Sequence, residues 1–341
     1  MRTKDDLRKF QALPLDLKIA LTKRRIQEWI REFGTDGVFV SFSGGKDSTV
    51  LLHIVREMFP DVEAVFVNTG LEYPEIQKFV KTFENVTILR PQMRFDEVIK
   101  TYGYPIIGKE VSCAIWYAKK GSEWANNYLD GLDKNGNEHE YKRNMYSKYK
   151  VLLSTDFLIS DKCCKVMKVK PLDLYAKETQ KKPITALMAS ESKKRETAWL
   201  RSGCNVFNGN IPKSKPMSFW TEQDVLQYIK KYNITIATVY GEVVYEAEPE
   251  QMYVDGCGTG KLCTTGCDRT GCIFCAFGAH LEKEPSRFQM LKETHPRQYE
   301  YCIGGGEYDE NGIWKPNKLG LGMGHVFEEL NKIYGDGFIK Y

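Results

Sequence analysis

The apolar positions of this chain fall into short blocks separated by polar, helix-like stretches. Residues 1–35 are rich in charge, and Leu15, Ile19, Ile26 and Ile30 recur at a roughly helical period, which predicts amphipathic helices. Val38-Phe-Val-Ser-Phe42 then reads as a buried strand, and an apolar run from Val50 as a helix, with the polar turn Ser43–Ser48 between them. Val62–Val67 predicts a second strand with Asn68-Thr69-Gly70 at its carboxyl end, followed by a helix from about Pro74 to Phe83 and a third strand at Val86–Leu89. A fourth strand is expected at Ile184–Met188, with Ala189–Arg195 opening a helix, and Thr221 and Asp224 suit another helix start in Trp220–Ile229. Strands alternating with helices predict an α/β fold, a doubly wound parallel sheet. Ligands of such sheets lie at the carboxyl ends of the strands, so Ser43–Ser48 and Asn68–Gly70 are expected to share one crevice.

Three regions follow from this pattern. Residues 1–35 are expected to form a helical segment, 36–240 an α/β domain with a polar insertion at about 121–150, and 241–341 a Cys-rich C-terminal region. Within the insertion, Asp133–Asn137 has turn composition, but its glycine comes too early for a Ca²⁺ loop. From Cys257 to Cys275 the chain is too rich in Gly, Thr and Cys for regular structure, and no internal repeat is present.

The turn after the first strand carries the chemistry. The glycines of Ser43-Gly-Gly-Lys-Asp-Ser48 let backbone amides crowd an anion, Lys46 adds a charge, and Ser43 and Ser48 add hydroxyl donors. It is not G-x-x-x-x-G-K-[ST], because Asp47 follows the lysine. That difference points away from motors and kinases and towards chemistry at the α-phosphate of a nucleotide.

The 341 residues carry 42% hydrophobic and 28% charged side chains, ordinary for a globular protein, and a net charge of +4. So mild a charge allows a local basic groove without declaring a nucleic-acid binder. The start lacks the apolar core of a signal peptide and no apolar run reaches membrane-spanning length, so a cytoplasmic protein without a membrane partner is expected. Ten cysteines then argue for metal or redox chemistry rather than disulfides. Cys163-Cys164, an awkward dipeptide for most metal sites, and Cys272-x-x-Cys275 stand out. Four thiolates around iron–sulfur need soft ligands and nearby donors, and Lys162, Lys165 and Lys168 supply positive charge. Two other readings stay open. Cys257, Cys263, Cys267, Cys272 and Cys275 can supply a Cys₄ zinc ribbon, with Cys163 and Cys164 as small buried hydrophobes, or no metal binds. Glu191 and Arg195 suit ribose or phosphate contacts, or form a helical i,i+4 pair; Lys109 is a weaker phosphate candidate, and His280 and His295 read as structural.

Ser43–Ser48 resembles the PP-loop of the adenine nucleotide α-hydrolase superfamily, whose Rossmann-like members include ATP pyrophosphatases, tRNA-thiolating enzymes and phosphoadenosine phosphosulfate (PAPS) reductases. Val65–Glu75 is similar to the second signature strand end of the PAPS-reductase family, Ala189–Arg195 to its substrate loop, and Trp220–Ile229 to its Trp-Thr…Asp-Val…Tyr-Ile helix. The likeness covers roughly residues 35–300. It implies nucleotide contacts from Ser43, Gly44, Gly45, Lys46, Asp47, Ser48, Asn68, Thr69, Gly70 and Glu191, with Lys46, Asp47 and Arg195 in catalytic roles. The cysteine pairing resembles the [4Fe-4S] site of assimilatory adenylylsulfate reductases, which implies Cys163, Cys164, Cys272 and Cys275 as cluster ligands.

Two departures from the reductases separate the possible reactions. Their PP-loop is usually degraded, whereas this one is complete and suits ATP. Their C-terminal Glu-Cys-Gly-Leu-His motif is absent, leaving Cys302 as the candidate nucleophile. The expected activity is therefore that of a PP-loop ATP pyrophosphatase using Mg²⁺ and a [4Fe-4S] cluster. It adenylates an oxygen of its substrate, releases pyrophosphate and serves sulfur transfer, as in nucleic-acid thiolation or phosphorothioation. The partners implied are an adenine nucleotide, a nucleic-acid substrate or sulfur-donor protein, and a second copy of the chain. The alternatives are an adenylylsulfate or PAPS reductase releasing sulfite, and a zinc-ribbon nucleic-acid module.

Overall fold

The computed structural model describes residues 2–133, 136–138, 146–208, 212–246 and 260–341. They belong to two compact units. The first takes in Met1–Asn68, Glu72–Arg90 and Pro171–Gly271, and the second Thr69–Leu71, Pro91–Lys170 and Cys272–Tyr341. Among the described residues no helix is long and apolar enough to cross a membrane.

The first unit opens with helices α1 (Lys4–Gln11) and α2 (Leu15–Phe33). Thr3 and Asp6 form a reciprocal cap at the start of α1. On α2 the predicted stripe is buried at Ile19, Ile26 and Ile30, joined by Trp29. Then come β1 (Val38–Ser41), α3 (Lys46–Met58), β2 (Ala64–Val67), α4 (Pro74–Val80) and β3 (Val86–Leu89). Val38, Phe39 and Val40 have no exposed surface, as a strand covered on both faces requires. The six-stranded sheet runs β3, β2, β1, Lys182–Ile184, Lys213–Ser214, Asn205–Val206. All its pairings are parallel except the last, where Asn205–Val206 runs antiparallel to Lys213–Ser214. From β1 the chain winds outward to β3 and later returns on the other side of β1. That reversal is a topological switch point, and the turn after β1 sits on it.

The fourth strand lies two residues earlier than its pattern implied. Lys182–Ile184 pairs with β1 at Val38↔Lys182 and Val40↔Ile184, and Thr185–Met188 has left the strand. Pro183 hides this strand from a sequence reading, because proline is unusual inside a sheet. Strand N–H groups alternate between neighbours. Lys182 donates to Gly37 on the β1 side, so Pro183 faces the other neighbour, whose pairing begins only at Ile184. Two other expectations shift. The helix from Pro74 ends at Val80, and the Cys-rich stretch holds a strand, Leu262–Thr264, antiparallel to Val243–Tyr245.

In the second unit Ile106–Ile107 pairs in parallel with Ala276–Phe277. Around them pack helices Phe95–Tyr102, Lys109–Ala118, Arg287–Thr294, Pro296–Ile303 and Met323–Tyr334. Tyr104, Phe157, Phe288 and Phe327 are fully buried there, and Tyr104 Oη donates to Leu321 O at 2.8 Å. The polar insertion is more ordered than its composition implied: Glu123–Leu129 is an α-helix and Ser147–Ser154 a 3₁₀ helix. Asp133 does form its turn, its Oδ1 accepting from Asn137 N at 2.9 Å.

A buried ion pair ties the first unit's N-terminal helices to helix Glu222–Lys231. Lys18 Nζ donates to both oxygens of Asp224 at 2.7 Å, and neither residue is more than 6% exposed. Asp224 also accepts from Thr221 N and Oγ1, completing the cap that the sequence indicated. Removing one partner of such a pair strands the other in the interior. Lys18→Met is therefore expected to lower unfolding free energy by about 3–5 kcal/mol, and Lys18→Met with Asp224→Asn to regain most of it, both read by urea denaturation.

Candidate functional site

The loop after β1 is shaped by what surrounds its glycines. Gly44 stands at φ +71°, and a Cβ there would lie 2.7 Å from Val80 Cγ2 and 2.8 Å from Ile76 Cγ2. Only glycine fits between that backbone and α4. The two loop hydroxyls brace the turn. Ser43 N donates to Ser48 Oγ at 3.1 Å, the two Oγ atoms are 3.0 Å apart, and Ser48 Oγ donates to Gly45 O at 2.9 Å. The turn delivers Lys46, Asp47 and Ser48 to the first turn of α3, where the helix dipole favours an anion.

Lys46 is 5% exposed and engaged within the protein. Its Nζ donates to Glu222 Oε1 at 2.6 Å and to Asp268 O at 2.5 Å, and lies 5.6 Å from the centre of the Tyr240 ring. Tyr240 Oη is 2.9 Å from Thr270 Oγ1 and accepts a long bond from Lys46 N at 3.4 Å. Asp47 differs, because its Oδ1 is buried without a hydrogen-bond partner among the described residues. Burial raises the Asp47 carboxyl above its ordinary range. Lys46, Arg269 and Arg195 work against the rise, and Glu222 adds to it. Arg195 pairs with Glu191, whose Oε2 also accepts from Met188 N at 3.0 Å, and Ser192 caps the helix Lys193–Ser202 that carries the arginine. Burial lowers the Arg195 pKa, Arg269 lowers it further, and Asp47 opposes both.

The structure thus joins Ser43–Ser48, Glu191 and Arg195 in one polar neighbourhood, and adds Glu222, Tyr240, Asp268, Arg269 and Thr270, which the sequence reading left out. Arg269 beside a run of polar residues was the one available signal. Asn68 ends β2, next to β1 in the sheet, and its N donates to Leu89 O at 2.8 Å. Thr69 and Gly70 belong to the second unit, where Thr69 Oγ1 accepts from Leu71 N at 3.1 Å.

The second unit gathers Cys163, Cys164, Cys272 and Cys275 around a cavity of about 20 Å³ walled by Leu71, Phe95, Pro105 and Met167. Cys163 and Cys164 lie on one helical turn that opens at once into a π-turn, Lys165–Val169, a local widening that sequence does not announce. Cys275 N donates to Cys272 O at 3.0 Å, turning the second pair to one side. Cys163 and Cys164 share a hydrogen bond that raises the first thiol and lowers the second, with Lys109 and Lys168 lowering Cys164 further. Burial pushes Cys272 up to about 11, against the pull of Lys168.

Several expectations change here. Lys109, considered for phosphate, stands beside the Cys164 thiol. Of the three lysines expected near the thiols, Lys168 is there, Lys165 is exposed, and Lys162 donates to Tyr117 Oη at 3.2 Å instead. Cys302 is fully buried, 3.5 Å from Met323 Sδ, and burial raises its thiol well above the ordinary range, so it is not placed to act as a nucleophile. Among the described residues no three His, Cys, Asp or Glu side chains converge as on a single metal ion. Cys263 and Cys267 fall in the first unit, whereas Cys272 and Cys275 fall in the second, and Cys257 lies outside the described residues.

A glycine turn into a helix N-terminus lies at the switch point of a parallel sheet, the place where α/β proteins of this class bind their ligands. The family model of the phosphoadenosine phosphosulfate reductase domain matches residues 37–107 and 124–277, and the chain belongs to that family. Over 73 residues it is 41% identical to an uncharacterised protein of Methanocaldococcus jannaschii, across 20% of this chain and 15% of that one. A second protein of that organism is spanned over only 17% of its length. The adenosine 5'-phosphosulfate reductase of Staphylococcus haemolyticus is 22% identical over 214 residues, 61% of this chain and 67% of that one. The phosphoadenylyl-sulfate reductase of Candida auris, solved as a phosphate complex, is similar at a TM-score of 0.37 and 14% identity, over 64% of this chain and 82% of that one.

The raised pKa of the Asp47 carboxyl, whose Oδ1 is buried, has a testable consequence. A carboxyl whose pKa is higher folded than unfolded weakens the fold as pH rises through that interval. Asp47→Asn is expected to keep or raise the thermal midpoint at pH 7 and to flatten that decline, by calorimetry from the ordinary carboxyl pKa of 3.8 upward. A marked loss of stability would mean that the carboxylate is already compensated.

Proposed function

We propose that this chain is an ATP-using enzyme that adenylates an oxygen of its substrate and releases pyrophosphate, in the service of sulfur transfer to a nucleic acid. The observation that carries the reading is the complete Ser43–Ser48 loop at the start of α3, with Lys46 and Asp47 intact. A substrate oxygen attacks the α-phosphorus, the bond to the bridging oxygen breaks, and pyrophosphate leaves with that electron pair. Loop amides and Lys46 stabilise the leaving charge. Phosphate oxygens would take Lys46 Nζ from Glu222, whose 41% exposed side chain has room to withdraw into solvent. Arg195 offers a planar guanidinium to a phosphate or ribose, and Glu191 orients it.

Two further groups fit the donors present. The buried, unpartnered Asp47 Oδ1 suits Mg²⁺, a hard cation that takes carboxylate oxygen and would offset charge on the phosphates. Four soft sulfurs with Lys109 and Lys168 nearby suit iron–sulfur. A [4Fe-4S] cluster held by Cys163, Cys164, Cys272 and Cys275 would supply iron-bound sulfur chemistry. Its thiolates bind separate irons, so they need not converge on one point. The related reading, reduction of adenylylsulfate or PAPS, draws on the names of relatives such as the Staphylococcus haemolyticus enzyme. The buried Cys302 weighs against it, since that chemistry needs an accessible thiolate.

Pyrophosphate release from ATP, assayed with tRNA and DNA acceptors, is expected to fall on the order of 100-fold in Lys46→Ala. No release with either acceptor, together with sulfite release from a sulfonucleotide, would turn the assignment to the reductase. Anaerobically purified protein is expected to carry iron and acid-labile sulfide in equal amounts, lost in Cys163→Ser and Cys272→Ser. Zinc without sulfide would remove the cluster.

A further inference from the structure

The second unit carries an exposed aromatic and basic face that the phosphate loop and the thiol cavity do not use. It lies where helix Lys109–Ala118 ends and helix Glu123–Leu129 begins. Trp124 is 45% exposed and Tyr117 36%, and their ring centres are 5.7 Å apart. Large aromatic side chains are mostly buried, so two open rings in contact across neighbouring helices are uncommon. Lysines stand among them. Lys162 Nζ donates to Tyr117 Oη at 3.2 Å, and Lys120 Nζ lies 4.2 Å from the centre of the Trp116 ring. Among the described residues no cation sits over the Trp124 ring, which is open to a ligand.

The charge around these rings is one-sided. Residues 109–124 hold three lysines and two glutamates, and residues 161–170 four lysines and one aspartate. That excess of four equals the net charge of the whole chain, so the mild basic character of the protein is concentrated in these two segments. Lys120 and Lys165 are exposed and have no carboxylate partner among the described residues, and Lys162 has only Asp161, at 3.7 Å. The same segments reach the thiols. Lys162 directly precedes Cys163, and Lys109 stands beside the Cys164 thiol. Tyr117 lies on the helix of Lys109, about two turns (12 Å) further along its axis.

Open rings interleaved with lysines that lack carboxylate partners match one class of partner. Aromatic faces take the faces of unpaired bases, and lysines take the phosphates between them. A duplex hides its base faces, and cellular DNA is a duplex, whereas folded RNA keeps unpaired bases splayed in its loops. We propose that this face holds an unpaired RNA loop, with a base stacked on Trp124 beside Tyr117 and the backbone on Lys120, Lys162 and Lys165. The proposal rests on the reading of this chain as an enzyme of sulfur transfer to a nucleic acid, and it names an RNA loop as the acceptor.

The test uses the full chain without ATP and the fluorescence anisotropy of a labelled RNA stem–loop, an RNA duplex of equal length and a single-stranded DNA. The stem–loop is expected to bind about tenfold more tightly than the duplex. It is also expected to bind more tightly than the DNA, whose bases are not held apart beforehand. Trp124→Ala is expected to weaken the stem–loop about tenfold and to leave the duplex unchanged, and Trp124→Phe, which keeps a ring, to retain most of the affinity. Lys120→Gln and Lys165→Gln are each expected to lower the slope of log affinity against log salt by about one. All three side chains are exposed, so each variant is expected to keep the thermal midpoint of the parent chain. Equal binding of loop and duplex, indifference to Trp124→Ala, or tighter binding of the DNA would each overturn the proposal. Binding is read apart from adenylation. Loop binding that falls in Trp124→Ala, in a protein that releases no pyrophosphate, upholds this face and overturns the reading it rests on. Pyrophosphate release with RNA that Trp124→Ala leaves intact, without a preference for the loop, does the reverse.

Discussion

The close approach of Gly44 to α4 is the constraint from which the nucleotide site follows. Its backbone at φ +71° lies against Ile76 and Val80, and no side chain fits there. Because the turn is held this way, the chain leaves the fully buried strand β1 and enters α3 within a few residues, with the helix N-terminus and its dipole facing the carboxyl end of the sheet. Ser43 and Ser48 then lock the turn from within. Everything the loop does with charge depends on this backbone path.

Charge in the first unit is arranged so that it is incompletely neutralised. Lys46 is satisfied by Glu222 and the Asp268 carbonyl, and Arg195 is ion-paired with Glu191, but among the described residues Arg195 Nη1 and Asp47 Oδ1 are buried without a hydrogen-bond partner. Such an atom is costly in a resting fold and useful when a cation or ligand arrives. The second unit handles charge another way. Its thiols share protons and lie near Lys109 and Lys168, in a wall that is otherwise apolar.

Much of the fold and loop was legible because it rests on local signals. Strand blocks, the glycine turn and the cap at Thr221 and Asp224 are fixed within a few residues of sequence. The fourth strand was misjudged because Pro183 is tolerated only where its missing N–H meets no partner, and that depends on the neighbouring strand. The two cysteine pairs stood out by spacing and their grouping was implied by the family resemblance, and of the three lysines expected beside them Lys168 is there. Lys162 turns to Tyr117, and Lys109 comes from a helix more than fifty residues earlier in the chain.

The sequence by itself determined the alternation of strand and helix, the glycine turn with its lysine and aspartate, and the two cysteine pairs. These are patterns of period, backbone freedom and spacing that act at short range. Tertiary structure alone decided that Glu222 and Asp268 hold Lys46, that Asp47 Oδ1 is buried without a hydrogen-bond partner among the described residues, that Cys302 is sealed in a core and that Arg2 lies against Trp199 and Gly203. Each joins residues far apart in the chain. Burial and long-range charge are properties of the packed fold, which no local window contains.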